Sequence, residues 1–313
     1  MIKVGISSCL LGQNVRFDGG HKHSSLCTEL LSDHFHYTPI CPEVGIGLGV
    51  PRKPIRLIGT VEAPQAVTSH DATLNYTQAL RDYGHAQAQQ HGDLSGYIFM
   101  KNSPSCGLFR VKVYGENGYP VPKGGRGIYA DALTRYYPLL PVEESGRLCD
   151  ATLRENFITR VYAYHNWQQL VTEGLSHRNI LAFHVRYKYC LMAHSPSQYQ
   201  VLGRMLADAG KHDPDTLGQQ YFSALMMTLS QLASRKTHSN VLMHLQGYLK
   251  HVLSSQEKQA LAQLIEQYRT ALIPLIVPIT MLKHHFANHP NDYIAQQAYL
   301  QPYPDDLKLR NQI

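Results

Sequence analysis

Three cysteines of the 313-residue chain occupy matching positions: Cys9 in SSCLLG, Cys41 in PICPEVG and Cys106 in IFMKNSPSCG. Each follows a strand-like run and sits in a loop with glycine or proline nearby, whereas a cysteine used only for packing normally has apolar neighbours. The C-terminal ends of parallel strands converge on one edge of an open sheet, where such sheets bind ligands. One cysteine in this setting is readily incidental; three at equivalent strand ends are harder to dismiss. They lack the fourth thiolate of a closed structural zinc site. They suit an iron–sulfur cluster with one iron left open, or a catalytic zinc to which His21 or His23 adds a fourth ligand. Glu43 follows Cys41 by two residues, which lets its carboxylate face the same pocket, although hydrogen bonding at the surface is its plainer role. Cys27, Cys149 and Cys190 fall within helical patterns and read as small buried residues.

The elements that must position these residues are legible in outline. IKVGI (2–6) and YTPI (37–40) read as strands with a helix, SSLCTELLSDHF, between them. The segment DATLNYTQALRDYGHAQAQQHG reads as a helix capped by Asp71 and stopped by Gly92. SGYIFM and FRVKVYG follow as strands, then a helix from about Gly127 to Tyr136 and a last strand LLPV. This alternation predicts an α/β domain with a mainly parallel sheet over residues 1–145. From there strand signals vanish, and residues 146–313 read as an all-α domain. In that half Asp213-Pro214 marks a helix start, Ser254 and Glu257 have capping-box spacing, and Pro274 and Pro278 should kink or break a helix. A chain of this length exceeds what one core usually organises, about 250–300 residues.

With no apolar run long enough to span a bilayer and no charged-then-apolar leader pattern, the chain reads as soluble and cytoplasmic, its thiols reduced. The net charge of +6 is uneven: about +1 over residues 1–150 and +5 over 151–313, with 11 of the 18 histidines in the second half. A moderately basic second half suggests a polyanionic partner. Three stripes there mix basic and aromatic residues: FHVRYKYCLMAH with Arg186 and Lys188, ASRKTHSNVLMH with Arg235 and Lys236, and MLKHHFANH with Lys283, His284 and His285. Cations can contact phosphates and aromatic rings can stack on splayed bases. Taken singly, each stripe reads better as the core and solvated face of a helix.

Around the cysteines, Lys101 is placed to orient a substrate or simply to end a strand, and Arg16 and Asp18 in VRFDGGHK either line the pocket or brace a loop as an ion pair. PKGGRG, with Lys123 and Arg126, is no P-loop; it reads as a plain turn or as the lead into a helix whose first amides can cradle a phosphate. GIGLGVP has no helix after it and is not a dinucleotide fingerprint.

Taken together, SSCLLGQNVRFDGGHK, CPEVGIGLGVPR and KNSPSCG resemble the thiouracil desulfidase family across residues 1–145, and the second half resembles the helical domain fused to it, which carries LKHHF near its end. The two-domain form is similar to the bacterial desulfidases that remove sulfur from 4-thiouridine in tRNA. The resemblance implies that Cys9, Cys41 and Cys106 hold a 4Fe–4S cluster with one open iron, and that Glu43 and Ser103 are catalytic. It further implies a thiolated tRNA as substrate, exposed from its stack to be reached. The alternatives are the same chemistry on free thiouracil or a 4-thiouridine nucleotide, a non-enzymatic iron–sulfur RNA-binding protein, and a zinc hydrolase.

Overall fold

The run IKVGIS forms strand β1 (Ile2–Ser7), whose Val4 and Ile6 are fully buried. It lies parallel to β2 (Phe35–Ile40) on one side and β5 (Gly96–Phe99) on the other, and β7 (Val142–Glu144) continues the sheet parallel to β5. The strand order is β2-β1-β5-β7. All four residues of β5 are buried, the near-continuous burial expected of a strand covered on both faces. Gly5 of β1 is required by its neighbour: a Cβ there would fall 2.2 Å from the ring of Tyr97. The structure, a computed structural model, describes residues 1–311, and the chain divides into two compact units, Met1–Asp150 and Ala151–Ile313.

The first unit also holds α1 (Pro42–Gly45), α2 (Thr77–Gln90) and α3 (Ile128–Tyr136), with α2 packed on α3. A second, small sheet has the order β4-β3-β6. Its β3 (Ile55–Gly59) runs antiparallel to β4 (Pro64–Thr68) and parallel to β6 (Val113–Tyr114). Leu57, Ala66 and Val113 of this sheet bury together with Leu80 and Ile128 from the helices.

Local chemistry explains where sequence expectation and structure part. The helix expected in SSLCTELLSDHF reduces to one π-turn, Leu26–Leu30, because β2 already begins at Phe35. Asp71 does not cap α2; it accepts hydrogen bonds from the amide and hydroxyl of Thr73, closing its own turn, while the Tyr76 amide is drawn to Ala66 O. FRVKVYG yields only a two-residue strand, since Arg110 adopts a left-handed φ of 52°. Cys149 is exposed in a 3₁₀ turn, contrary to its expected burial. The β3–β4 hairpin has no clear sequence signature, its five-residue strands being too short to show alternation.

In the second unit the main helices are α4 (Ala151–Glu173), α5 (His177–His194), α6 (Pro196–Ala207), α7 (Pro214–Leu229), α8 (Arg235–Gly247), α9 (Ser255–Arg269) and α10 (Ile276–Asn288), followed by the single turn α11 (Asp292–Ala295). Asp213 accepts the Thr216 amide with Pro214 at the first helical position, and Ser254 and Glu257 form a reciprocal capping box. Neither proline breaks α10. Pro274 precedes it, and Pro278 sits in the first turn, where no intrahelical donor is needed. Trp167 stacks on Phe222 at 4.9 Å and meets Phe183 edge-on at 5.0 Å at the centre of this unit. Among the described residues no helix is long and apolar enough to cross a membrane.

Candidate active site

Because β2, β1 and β5 are adjacent and parallel, their C-terminal ends open on the same edge of the sheet. Cys9 lies two residues past β1, and Cys41 directly follows β2. Cys106 ends the longer loop after β5. All three line one cavity of about 490 Å³, together with Glu43, Ser103 and Ser105.

Each loop is fixed by its own backbone. The carbonyl of Cys9 accepts the amides of Gly12 and Lys22, and Ser7 Oγ accepts the amide of Met100, pinning the end of β5 to the end of β1. Cys41 is the N-cap of α1 with Pro42 at its first position, so the single turn that follows aims Glu43 back over the cavity. The Cys106 loop is held from two sides. Ser103 Oγ accepts the amides of Ser105 (3.3 Å) and Cys106 (3.1 Å), while the first amides of α3, from Ile128 and Ala130, bond to the carbonyls of Pro104 and Ser105. Beyond it, Glu144 Oε1 takes the amides of Leu108 and Phe109.

Glu43 is the polar centre of the cavity. Its Oε2 receives the guanidinium of Arg52, from Nε at 2.9 Å and Nη2 at 2.8 Å, and its Oε1 receives the hydroxyl of Ser105 at 2.7 Å. Ser103 Oγ lies 3.0 Å from Ser105 Oγ. Since Ser105 gives its one proton to Glu43, Ser103 is the donor in that contact, and its oxygen is already occupied by two amides. The hydroxyl touching the carboxylate is therefore Ser105, with Ser103 one step behind it. Sequence reasoning missed both Ser105 and Arg52. The second serine of SPSC and the arginine closing CPEVGIGLGVPR were the available signals.

The thiols are in surroundings that disfavour bare thiolates. Burial pushes the Cys9 thiol up to about 11 against the pull of Arg16, raises Cys41, and holds Cys106 well above the ordinary thiol range, with Cys41, Glu43 and Cys9 adding to the effect on Cys106. Three such thiols facing one cavity suit a cationic centre that binds them as thiolates. A polynuclear cluster, met by one ligand at each of several corners, fits thiols spread around a cavity wall. His23 is turned to Thr28, its Nε2 at 2.9 Å from Oγ1. Arg16 adds a guanidinium to the wall, its Nε buried without a hydrogen-bond partner and 3.7 Å from Asp18, which itself is half exposed and accepts the Gly20 amide.

Of the other residues singled out by sequence, Lys101 is exposed at the rim of the cavity. Lys123 and Arg126 do not reach it. Lys123 is on the surface, and Arg126 is spent on Leu108 O and on Thr134 Oγ1 of α3. In the helical unit Arg186 and Lys236 are exposed, whereas Arg235 covers the ring of Tyr268 and bonds its carbonyl. Lys283 pairs with Asp305 at 2.9 Å. His284 is exposed beside Asn288, but His285 is buried, which removes it from any surface contact.

The model of the 2-thiouracil desulfurase family matches residues 4–145, and that of a protein family of unknown function, DUF1722, matches residues 188–304. The uncharacterized protein YbgA of Escherichia coli (strain K12) is 35% identical over 158 residues, half of this chain and 94% of that protein. The chain belongs to the same family as YbgA and joins a 2-thiouracil desulfurase family domain over residues 4–145 to a DUF1722 domain over residues 188–304. Within the desulfidase family region lie all three cysteines, Glu43, Arg52 and both serines. Among solved structures, the [4Fe-4S]-dependent thiouracil desulfidase TudS is 28% identical, covering 49% of this chain and 97% of its own, with a TM-score of 0.39.

Proposed function

We propose that the protein is a non-redox desulfidase that converts 4-thiouridine in tRNA to uridine, releasing hydrogen sulfide, with Cys9, Cys41 and Cys106 holding a 4Fe–4S cluster. The observation that carries the reading is the opening of three strand-end thiols, Cys9 and Cys106 buried and Cys41 partly so, and the Glu43–Ser105–Ser103 chain into one cavity. The family assignment supports the desulfidase chemistry, and the basic helical unit supports a large anionic substrate. When bound, a cluster with one open iron supplies a thiophilic Lewis acid for the thiocarbonyl sulfur.

The residues of the chain supply the rest. The reaction exchanges C=S and water for C=O and hydrogen sulfide, so a proton must leave the attacking water and protons must reach the departing sulfur. Glu43 accepts the water's proton at Oε1, where Ser105 already bonds; Arg52 keeps Oε2 fixed, so the carboxylate cannot swing away. Ser103 and Ser105 form a hydroxyl chain along which a proton can be handed on. Arg16 and Lys101 border the cavity as cations for the phosphate or ring oxygen of a bound nucleotide.

The test is anaerobic incubation of the reconstituted protein with 4-thiouridine-containing tRNA, following loss of thiouridine absorbance. Wild type converts it and Cys106→Ala does not; activity in the alanine variant would sink the ligand assignment. One observation favours a second reading. The cavity lies wholly within the first unit and, at about 490 Å³, accommodates a free thiouracil or 4-thiouridine nucleotide. Turnover of the nucleotide but not of thiolated tRNA would select it.

A further inference from the structure

The helical unit contains a second cavity, of about 340 Å³, that the chemistry above does not use. Lys188 and Tyr189 reach it from α5, Tyr199 from α6, and Asn240 and His244 from α8, with Tyr248 on the turn that ends α8. Its chemistry is unusual for a surface hollow. Lys188 Nζ lies over the rings of both Tyr189 and Tyr293, at 5.3 and 5.4 Å, and donates to the Tyr293 hydroxyl at 3.0 Å. Tyr248 is stacked on Tyr293, with centroids 5.8 Å apart and planes within 19°, and its hydroxyl accepts that of Tyr189 at 3.4 Å, yet the residue remains 42% exposed. Tyr199 in turn lies parallel to His184.

Three features define the ligand this cavity takes. An exposed flat ring, backed by a second ring that stiffens it, is a stacking surface for a planar group. The ammonium of Lys188 pairs with no carboxylate among the described residues and keeps donors free for an anion beside that ring. Burial pulls the Lys188 pKa down, but the Tyr293 hydrogen bond and the surrounding tyrosines more than offset this and keep it charged. Asn240 and His244 offer hydrogen-bond donors and acceptors of the kind that read the edge of a base. No acidic side chain lines the hollow.

We propose that this cavity binds one unpaired nucleotide of the RNA substrate, with the base stacked on Tyr248 and the phosphate at Lys188. The inference rests on the reading of RNA as substrate, and it assigns the helical unit a specific grip rather than a diffuse basic surface.

The test uses the full-length, cluster-loaded protein and a fluorescein-labelled single-stranded octauridylate, followed by anisotropy over a range of salt. Tyr248→Ala weakens binding about 5- to 100-fold, whereas Tyr248→Phe retains the wild-type affinity. Lys188→Gln weakens binding and lowers the salt slope by about one. All three variants keep wild-type turnover of 4-thiouridine monophosphate, which needs only the first unit's cavity, and an unchanged Trp167 emission reports intact packing. Equal affinities for wild type and Tyr248→Ala overturn the site, as does a Phe variant as weak as the Ala variant. Failure of the substrate reading is separate: a wild-type protein that binds octauridylate through Tyr248 but leaves thiolated tRNA unconverted sinks the substrate and leaves the pocket standing.

Discussion

Replacing Arg52 by methionine tests whether Glu43 is held by charge. The guanidinium meets Oε2 through two hydrogen bonds of 2.9 and 2.8 Å, and the two side chains are only 7% and 12% exposed. Methionine keeps much of the aliphatic volume and removes the charge. With charge centres about 4 Å apart and an effective dielectric of about 20, the attraction is about 4 kcal/mol. Truncation leaves a buried carboxylate with one hydrogen bond, from Ser105, and breaking a buried pair in this way costs about 3–5 kcal/mol. Glu43→Gln in the same background removes the stranded charge, so the double variant is expected to be more stable than the summed single losses by about 2 kcal/mol. The assay is urea unfolding of cluster-free protein at pH 7, with hydrogen exchange read in peptides from β1 and β5 so that the first unit is followed apart from the helical one. Single losses that add within about 0.5 kcal/mol, or an Arg52→Met loss below about 1 kcal/mol, would refute the clamp.

Three further outcomes follow from the same geometry. Ser105→Ala removes the proton given to Glu43 and should lower turnover about 100-fold with iron and sulfide content unchanged; normal turnover in that variant would return the contact to Ser103. Gly107→Ala places a Cβ 2.3 Å from Val111 Cγ2 and 2.7 Å from Ser103 O, so the Cys106 loop must shift and less iron should survive desalting, measured by colorimetric iron assay. The helical unit should lose stability in mild acid: burial and the nearby Lys188 lower His184 to about 4, and burial with Arg310 holds His238 well below the ordinary range. Because the folded pKa of His184 lies below the unfolded value near 6.5, its contribution is complete above about 6.5 and falls away toward 4, by up to about 3 kcal/mol. Urea midpoints read from Trp167 fluorescence at pH 7 and pH 5 check this; His184→Phe should flatten the difference, and an unchanged slope would dismiss the assignment.

How much of this was legible in the sequence depends on how local each cause is. The cysteines were readable because a strand, a loop and a ligand position succeed one another within a few residues, and the sheet's parallel order then brings them together. Caps at Asp213 and Ser254 were readable for the same reason. Asp71 misled because a competing local bond, to Thr73, satisfied the same side chain. Which hydroxyl of SPSC meets Glu43 was not readable: it depends on the loop's path after Asn102, whose φ is 59°, and on the α3 amides that seize Pro104 and Ser105 from some 24 positions along the chain. His284 and His285 look alike in sequence, and only the packing of α10 decides that the second is inside.

Arg52 shows why a residue invisible to motif reading can govern a site. Its backbone amide bonds to Phe17 O in the loop after Cys9, while its guanidinium reaches Gly49 O and Glu43 in the loop after Cys41. It therefore joins two of the three cysteine-bearing loops and fixes the carboxylate between them. Lysine would keep the charge but present one point of attachment where the guanidinium presents three nitrogens in a plane. Arg52→Lys should thus preserve most of the electrostatic stability and still lose turnover, because Glu43 would be free to rotate about its terminal torsion. If lysine instead restored full activity, charge alone would suffice, and the planar geometry of the pair would carry no function.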